Sequence, residues 1–164
     1  MEHLWSPWRM EYIQANKDEP DDAVCVLCRI RDGDDEGRVL ARTPSSYVVL
    51  NRFPYNPGHV MVVPDRHVGE LDELADDEAM DVQRLVARAI SALRAEMAPH
   101  GFNVGVNVGR VAGAGVPDHV HWHVVPRWSG DTNFMPVVGQ TRVLPQLLEE
   151  TAARLRPRFE GRSA

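Results

Sequence analysis

The chain has 164 residues, of which 43% are hydrophobic and 26% charged, a balance typical of one globular domain rather than of disordered or fibrous proteins. Its 18 basic and 24 acidic residues give a net charge of −6, which argues against a general nucleic-acid-binding surface. Because no apolar run approaches the ~20 residues that a membrane span needs and the N-terminus lacks a signal-peptide layout, we expect a cytoplasmic protein with neither nucleic acid nor a membrane as its partner.

The first forty residues contain a predicted helix, a cysteine pair and an acidic segment. A serine followed by a proline at Ser6–Pro7 is typical of a helix start. Cys25 and Cys28 have C-x-x-C spacing, which in a reducing compartment indicates a metal site or a redox pair. The acidic segment, residues 32–37, is interpreted as a solvated loop, because a calcium-binding loop would need a more complete spacing of ligands.

Three short strands and a long helix are predicted next. The strands are Val39–Arg42, Tyr47–Asn51 and His59–Pro64, and a turn at Asn56–Gly58 makes the last two an antiparallel hairpin. From Asp76 to Met97, apolar residues recur every three or four positions, which predicts an amphipathic helix. Acidic residues occupy its first turn, where the helix dipole favours negative charge.

Alternating apolar residues predict two further strands, Phe102–Val108 and His119–Val125, and a final helix is predicted from Leu144 to Leu155. Five strands grouped around one long helix indicate an α+β domain with a mainly antiparallel sheet. Between the last two strands, the glycine-rich loop Gly109–Gly115 can present backbone N–H groups to phosphate oxygens, with Arg110 as a charge partner. Glycines also serve ordinary turns, so the loop alone is weak evidence.

Three of the seven histidines, His119, His121 and His123, alternate along the last predicted strand and would share one face of it. Neighbours in this row stand ~7 Å apart, so all three cannot readily bind one ion through metal–nitrogen bonds of ~2 Å, although two could. Imidazole can act as a ligand, acid, base or nucleophile. The middle residue, with a histidine on each side, suits a nucleophile; the alternative is an ordinary polar face of a sheet.

The segment His119–Val125 resembles the motif of the histidine triad (HIT) family, in which three histidines alternate with apolar residues. Leu50–Arg52 and Asn56–Pro64 resemble the nucleotide-side hairpin of that family. Together with the residues up to His67 and with Asn107, the resemblance covers about residues 39–128.

The flanking segments, residues 4–13 and 126–135, resemble bacterial members grouped with diadenosine tetraphosphate phosphorylases. The resemblance implies a HIT-like fold with a five-stranded antiparallel sheet, one long helix and short terminal helices, paired as a homodimer. We expect one domain over residues 1–164. Its parts would be an N-terminal helix with the cysteine pair (1–38), a core (39–128) and a C-terminal extension (129–164).

The resemblance also implies an activity: nucleotide hydrolases and transferases of this family cut at an α-phosphorus through a nucleotidyl-histidine intermediate. His121 would be the nucleophile, His119 and His123 would orient it and handle phosphate charge, and His59 would support the row from the neighbouring strand. The residues implied to contact the nucleotide are Asn51, Asn107, Gly113, Gly115 and His123.

The expected substrate is an adenine dinucleoside polyphosphate such as diadenosine tetraphosphate, cleaved with water or phosphate as the acceptor. The alternatives are an adenosine phosphoramidase, which hydrolyses P–N bonds, a metal-dependent hydrolase that uses the His/Cys cluster, and a nucleotide sensor without catalytic activity.

The cysteine pair supplies two of the four ligands of a closed zinc site. The resemblance implies that His67 and His119 complete a set with Cys25 and Cys28. Such a zinc would be structural, because four protein ligands leave no open position for water. The alternative is a reduced cysteine pair without a metal.

Overall fold

The computed structural model describes residues 24–131 and 147–160. In chain order their elements are α1 (Val26–Arg31), β1 (Val39–Arg42), β2 (Ser46–Leu50), β3 (Val60–Pro64), α2 (Asp76–Met97), β4 (Gly101–Val106), β5 (Trp122–Arg127) and α3 (Leu148–Glu160). The helix predicted at Ser6–Pro7 and the start of the final helix at Leu144 lie outside the described residues. The final helix, predicted to end at Leu155, continues to Glu160.

The five strands form one sheet of order β1-β2-β3-β5-β4, in which all neighbouring strands are antiparallel. The predicted hairpin is confirmed: β2 and β3 pair along their length, and Gly58 turns the connection with a φ of 75°, a backbone conformation that favours glycine. β5 lies between β3 and β4, so that Met61 and Gly105 flank His123. The α+β architecture with a five-stranded antiparallel sheet is confirmed.

One face of the sheet is covered by α2 and α3. Helix α2 has the predicted limits, and its apolar stripe is buried at Val82, Leu85, Val86, Ala89 and Leu93. The stripe packs on Val62 and Val124 of the sheet together with Leu155 of α3. In the described segments, no helix combines the length and apolarity that crossing a membrane requires.

The opposite face carries the histidines and is covered at one end by α1. Leu27 and Ile30 of this helix pack on Tyr47, Val49 and other apolar residues of β2 and β3. The Tyr47 hydroxyl donates to the Leu27 carbonyl oxygen at 2.7 Å, which anchors the helix to the sheet. The cysteine pair at the start of α1 therefore lies on the same face as the histidine row.

The strand predicted at His119–Val125 begins later than expected, at Trp122. The reason lies in the neighbouring strand β3. The Asp65 N–H donates to the Ser45 carbonyl oxygen on the β2 side, and backbone groups of successive strand residues point to opposite sides. The preceding residue, Pro64, therefore faces β5, where proline has no N–H to donate. The Val120 N–H instead bonds the Val68 carbonyl at 2.7 Å. His119 and His121 thus lie just before the regular strand. Their alternation is kept, because Val120, Trp122 and Val124 all enter the core, as predicted.

Strand β4 also departs from its prediction, since it ends at Val106 and not at Val108. It is the last strand in the sheet order, and Val104 is 45% exposed, although the alternating pattern predicted burial. An edge strand has a partner on only one side, so an apolar pattern along it does not guarantee burial.

Candidate functional site

Three of the predicted catalytic residues lie together on the histidine face. The ring centroids of His121 and His123 are 5.0 Å apart with planes at 74°, and those of His59 and His123 are 5.1 Å apart. His59 and His121 are buried, with 0% and 4% of their surface exposed. His59 directly precedes β3, so the hairpin places it beside β5, as expected of a residue that supports the row from the neighbouring strand.

The protonation of His121 follows from one hydrogen bond. Its Nδ1 lies 2.8 Å from the main-chain carbonyl oxygen of His119. A carbonyl only accepts, so the His121 proton sits on Nδ1 and Nε2 keeps its lone pair. Burial lowers the pKa of His121, which favours the neutral ring. A neutral imidazole with an available Nε2 lone pair is chemically competent to attack phosphorus.

Tyr55 is a site residue that the sequence did not indicate. Its ring stacks on His59 with centroids 4.8 Å apart and an interplanar angle of 27°, and it lies 6.0 Å from the His123 ring. Its main-chain N–H donates to His59 Nδ1 at 3.0 Å. Over the same ring, Asn51 Nδ2 lies 3.5 and 3.4 Å from the two nitrogens, which places the amide above the ring plane rather than at its edge. The presence of an aromatic residue in a turn does not indicate that its ring will stack on a histidine, so Tyr55 was not predicted.

The predicted nucleotide-contacting residues lie just after β2 (Asn51), just after β4 (Asn107), in the glycine loop (Gly113 and Gly115) and in β5 (His123). Asn51 Oδ1 accepts the Phe53 N–H at 2.9 Å, which fixes the direction of the amide. Asn107 Nδ2 lies 3.4 Å from the Gly113 carbonyl oxygen and closes the base of the loop. Gly113 has a φ of 92°, a conformation that favours glycine, and Gly115 is exposed. Beside His123, the adjacent Gly105 of β4 leaves open space where another residue would place a side chain.

The four predicted metal ligands form a second cluster: the ligand atoms of Cys25, Cys28, His67 and His119 all lie within 4.8 Å of one another. Nδ1 of His119 is 3.5 Å from Cys25 Sγ and 3.6 Å from Cys28 Sγ, and Nδ1 of His67 is 3.4 Å from Cys28 Sγ. In a tetrahedral site, zinc bonds of about 2.3 Å to sulfur and 2.0 Å to nitrogen set sulfur and nitrogen about 3.5 Å apart. The donor set therefore fits zinc in both chemistry and spacing.

The protonation states in this cluster also suit a cation. His119 Nε2 donates to the Pro64 carbonyl oxygen at 2.8 Å, which leaves the Nδ1 lone pair directed at the cysteines. Burial lowers the pKa of His119 to about 4, so the ring is neutral. Burial and then the adjacent Cys25 raise the pKa of Cys28 to about 11, so a cation is needed to hold the Cys28 sulfur as a thiolate near neutral pH.

His119 takes part in both clusters through different atoms. Its ring lies among the cysteines, while its carbonyl oxygen holds His121. Of the three histidines in the row, only His119 lies in the metal cluster, in agreement with the spacing argument that all three cannot reach one ion.

Comparisons with known proteins give the following matches. The model of the HIT domain family matches residues 33–130, which span the five strands and the long helix. The chain is 43% identical over 157 residues to an AP-4-A phosphorylase of Mycobacterium tuberculosis, covering 92% of this chain and 80% of that protein. It is 36% identical over 103 residues to an adenosine 5′-monophosphoramidase of Schizosaccharomyces pombe, covering 63% and 74%. A solved Zn-bound histidine triad family protein from Mycobacterium smegmatis has a TM-score of 0.69 at 26% identity, covering 83% and 93%.

Proposed function

The chain belongs to the HIT domain family and is a nucleotide hydrolase or transferase, and from this premise we propose that it cleaves diadenosine tetraphosphate or a related adenine dinucleotide at the α-phosphorus. The observation that carries the proposal is the buried His121, whose Nδ1–H is held by the His119 carbonyl and whose Nε2 lone pair is thereby available to a phosphorus atom. The similarity to an AP-4-A phosphorylase across 92% of the chain supports this class of substrate.

In the proposed reaction, His121 Nε2 attacks the α-phosphorus, so that a P–N bond forms and the bond to the bridging oxygen breaks. That oxygen leaves as part of the polyphosphate product. Water or inorganic phosphate then attacks the same phosphorus, the P–N bond breaks, and His121 regains its lone pair. His123 and backbone N–H groups stabilise the charge that develops on the phosphoryl oxygens, whereas the His119 ring lies in the metal cluster and acts on His121 through its carbonyl oxygen.

The other predicted residues contribute binding and orientation. His123 and the loop around Gly113 and Gly115 contact the phosphates, Asn51 contacts the ribose hydroxyls, and Asn107 holds the loop closed through its contact with the Gly113 carbonyl. His59 orients His123 from 3.0 Å away. Gly105 leaves room beside the row for the reacting phosphate.

Zinc is the proposed metal, held by Cys25, Cys28, His67 and His119. When bound, it supplies a structural cross-link between the start of α1 and the first histidine of the row. With four protein ligands the site keeps no position for a reacting water, which favours this role over that of a metal-dependent hydrolase. A cytoplasmic location agrees with such a site, because cytoplasmic thiols are kept reduced and able to bind metal.

We place the interface of a homodimer at the edge strand β4. Among the described strands β4 pairs only with β5, and Val104 of β4 exposes 45% of its surface. Pairing of two copies would provide hydrogen-bond partners for the backbone N–H and C=O groups at the edge of β4 and would cover Val104.

Product analysis tests the activity. The purified protein is given diadenosine tetraphosphate with and without inorganic phosphate, and the nucleotides are separated and quantified. ADP and ATP formed only with phosphate identify a phosphorylase, with ¹⁸O from labelled phosphate appearing in ADP. AMP plus ATP formed without phosphate identifies a hydrolase that cuts at the α-phosphorus, whereas two ADP would refute attack at that atom. Failure to cleave with either acceptor would refute the proposed substrate class.

The second candidate is an adenosine phosphoramidase, favoured by the 36% identity to the Schizosaccharomyces pombe enzyme over 103 residues. An adenosine phosphoramidate assayed beside diadenosine tetraphosphate under the same conditions separates the two. The ratio of the kcat/KM values decides which substrate the site prefers, since both reactions would use His121.

A further inference from the structure

The backbone of the hairpin loop fixes where His59 carries its proton. The Tyr55 N–H donates to His59 Nδ1 at 3.0 Å, and a backbone amide can only donate. The Nδ1 lone pair is therefore occupied, so neutral His59 must carry its proton on Nε2, and a doubly protonated His59 would break this hydrogen bond.

The position of the proton on His59 determines the position of the proton on His123. His59 Nε2 lies 3.0 Å from His123 Nδ1, and one of these two nitrogens must donate. Because the Tyr55 amide has already placed the His59 proton on Nε2, His59 donates and His123 Nδ1 accepts. His123 then carries its own proton on Nε2.

The neighbouring His121 has the opposite arrangement, since the His119 carbonyl holds its proton on Nδ1 and leaves Nε2 as a lone pair. The two rings are only 5.0 Å apart. A main-chain carbonyl thus sets one histidine as a nucleophile, and a main-chain amide, acting through a buried third histidine, sets its neighbour as a hydrogen-bond donor.

We propose that Tyr55 is a positioning residue for the reaction: its main-chain N–H, acting through His59, holds His123 in the Nε2–H form, so that His123 presents a donor to an oxygen on the reacting phosphorus. The Tyr55 ring also stacks on His59, with centroids 4.8 Å apart, but the relay itself runs through the main-chain N–H. This inference rests on the proposed attack by His121, but it concerns the hydrogen-bonding state of the free protein.

The arrangement also limits what His123 can do. If His123 gave up its Nε2 proton, His59 would have to replace it at Nδ1, and His59 would be left as an imidazolate because its other nitrogen already accepts the amide. His123 therefore stabilises charge by a hydrogen bond, and the polyphosphate leaves without a proton from this relay.

Nitrogen NMR on the wild-type protein tests the assignment without any substitution. In protein labelled with ¹⁵N-histidine at pH 7, His59 and His123 are expected to show a protonated Nε2 and an unprotonated Nδ1, and His121 the reverse. Signals are assigned with His59→Gln, His121→Gln and His123→Gln variants. A protonated Nδ1 on either His59 or His123 would overturn the proposal, whatever substrate the enzyme proves to use.

Replacing the main-chain N–H of residue 55 tests whether this group sets the tautomers of His59 and His123. Incorporation of the α-hydroxy acid analogue of tyrosine at position 55 exchanges the N–H for an ester oxygen and keeps the ring, whereas Tyr55→Ala removes the ring and keeps the N–H. The ester is expected to give mixed tautomers at His59 and His123 and to lower kcat about tenfold or more with KM nearly unchanged. Tyr55→Ala keeps both Nε2–H tautomers. An ester protein that retains the wild-type tautomers would show that another contact sets them.

Discussion

The imidazole of His121 is buried, and its two nitrogens differ: Nδ1 donates to the His119 carbonyl oxygen and Nε2 keeps the lone pair that we propose attacks phosphorus. The His121→Ala variant removes this proposed nucleophile while the rest of the row remains. We expect the rate of diadenosine tetraphosphate cleavage to fall by about 10³-fold or more, because no neighbouring group replaces a covalent catalyst. The measurement is the initial rate of nucleotide release.

A histidine outside the site serves as the control for this variant. His100 is exposed and contacts Ser129, so His100→Ala is expected to keep the wild-type rate. Wild-type activity in His121→Ala would show that another group is the nucleophile.

The cysteine cluster gives a prediction on stability. Cys28→Ser removes a sulfur that lies 3.4–3.6 Å from both histidine ligands, and we expect zinc content to fall from near one per chain to near zero. The free energy of unfolding should drop by about 2 kcal/mol or more, comparable to the loss of a native cross-link. Metal analysis by mass spectrometry and thermal unfolding measure the two effects.

The matched control introduces the same residue in the same helix. Val26→Ser changes a side chain that is 46% exposed and leaves all four ligands in place, so zinc content should be unchanged. If Cys28→Ser kept its zinc as well, the proposed ligand set would be wrong.

Individual residues of both clusters could be recognised from the sequence wherever the side chain does the chemistry. The cysteines and the triad histidines have reactive groups at characteristic spacings, and the family resemblance added His67; the structure brings these residues together in two clusters. Tyr55 could not be recognised, because its contact with His59 comes from a main-chain N–H that every residue except proline possesses. The Pro64 carbonyl that holds His119 was missed for the same reason.

Secondary-structure elements differ in how much local sequence decides them. Helix α2 has its predicted limits because its apolar stripe and acidic first turn lie within the helix itself. The start of β5 was predicted three residues too early because the cause, Pro64, is in another strand and becomes a neighbour only in the folded sheet. The hydrophobic periodicity of β5 contains no information about a backbone N–H that is missing from the neighbouring strand.

The first turn of α2 gives a prediction on pH. Arg66 first, and then the Ala75 N–H, lower the pKa of Glu78 to about 2 from an ordinary value of 4.5. As pH falls, the unfolded chain takes up this proton before the folded protein does, because the folded pKa is the lower one. The contribution of the Glu78 carboxylate to the free energy of unfolding is therefore complete above about pH 4.5 and is lost on the way to pH 2. Glu78→Gln should be slightly less stable than wild type at pH 7, and the difference should shrink as the pH falls from about 4.5 to about 2.

Chemical denaturation at a series of pH values measures this effect. Asp77→Asn is the control, since it removes an exposed charge from the same turn and leaves the Arg66–Glu78 pair intact. A stability difference between Glu78→Gln and wild type that stayed constant from pH 7 to pH 2.5 would contradict the linkage.

At the scale of the whole molecule, the edge strand β4 gives a prediction on assembly. Val104→Glu places a charge on the proposed interface, and it should convert a dimer into a monomer, because burying an unpaired carboxylate is unfavourable. Size-exclusion chromatography with light scattering should report twice the mass of one chain for wild type and a single chain for the variant.

Leu71→Glu is the matched control for assembly, because Leu71 is 41% exposed but lies in the short turn before α2 and not on β4. It should remain dimeric. A Val104→Glu protein of dimeric mass would move the interface to another surface.

The double attachment of His119 has a consequence for how this chemistry can be transplanted. Because the ring lies among Cys25, Cys28 and His67 while the carbonyl holds Nδ1 of His121, the proposed active site is not a portable stretch of seven residues. A graft of the row onto another sheet would need a substitute anchor for the His119 ring, and a descendant lacking the cysteines would need new packing there. The residues that must be transferred together are thus the histidine row and the residues that hold the His119 ring.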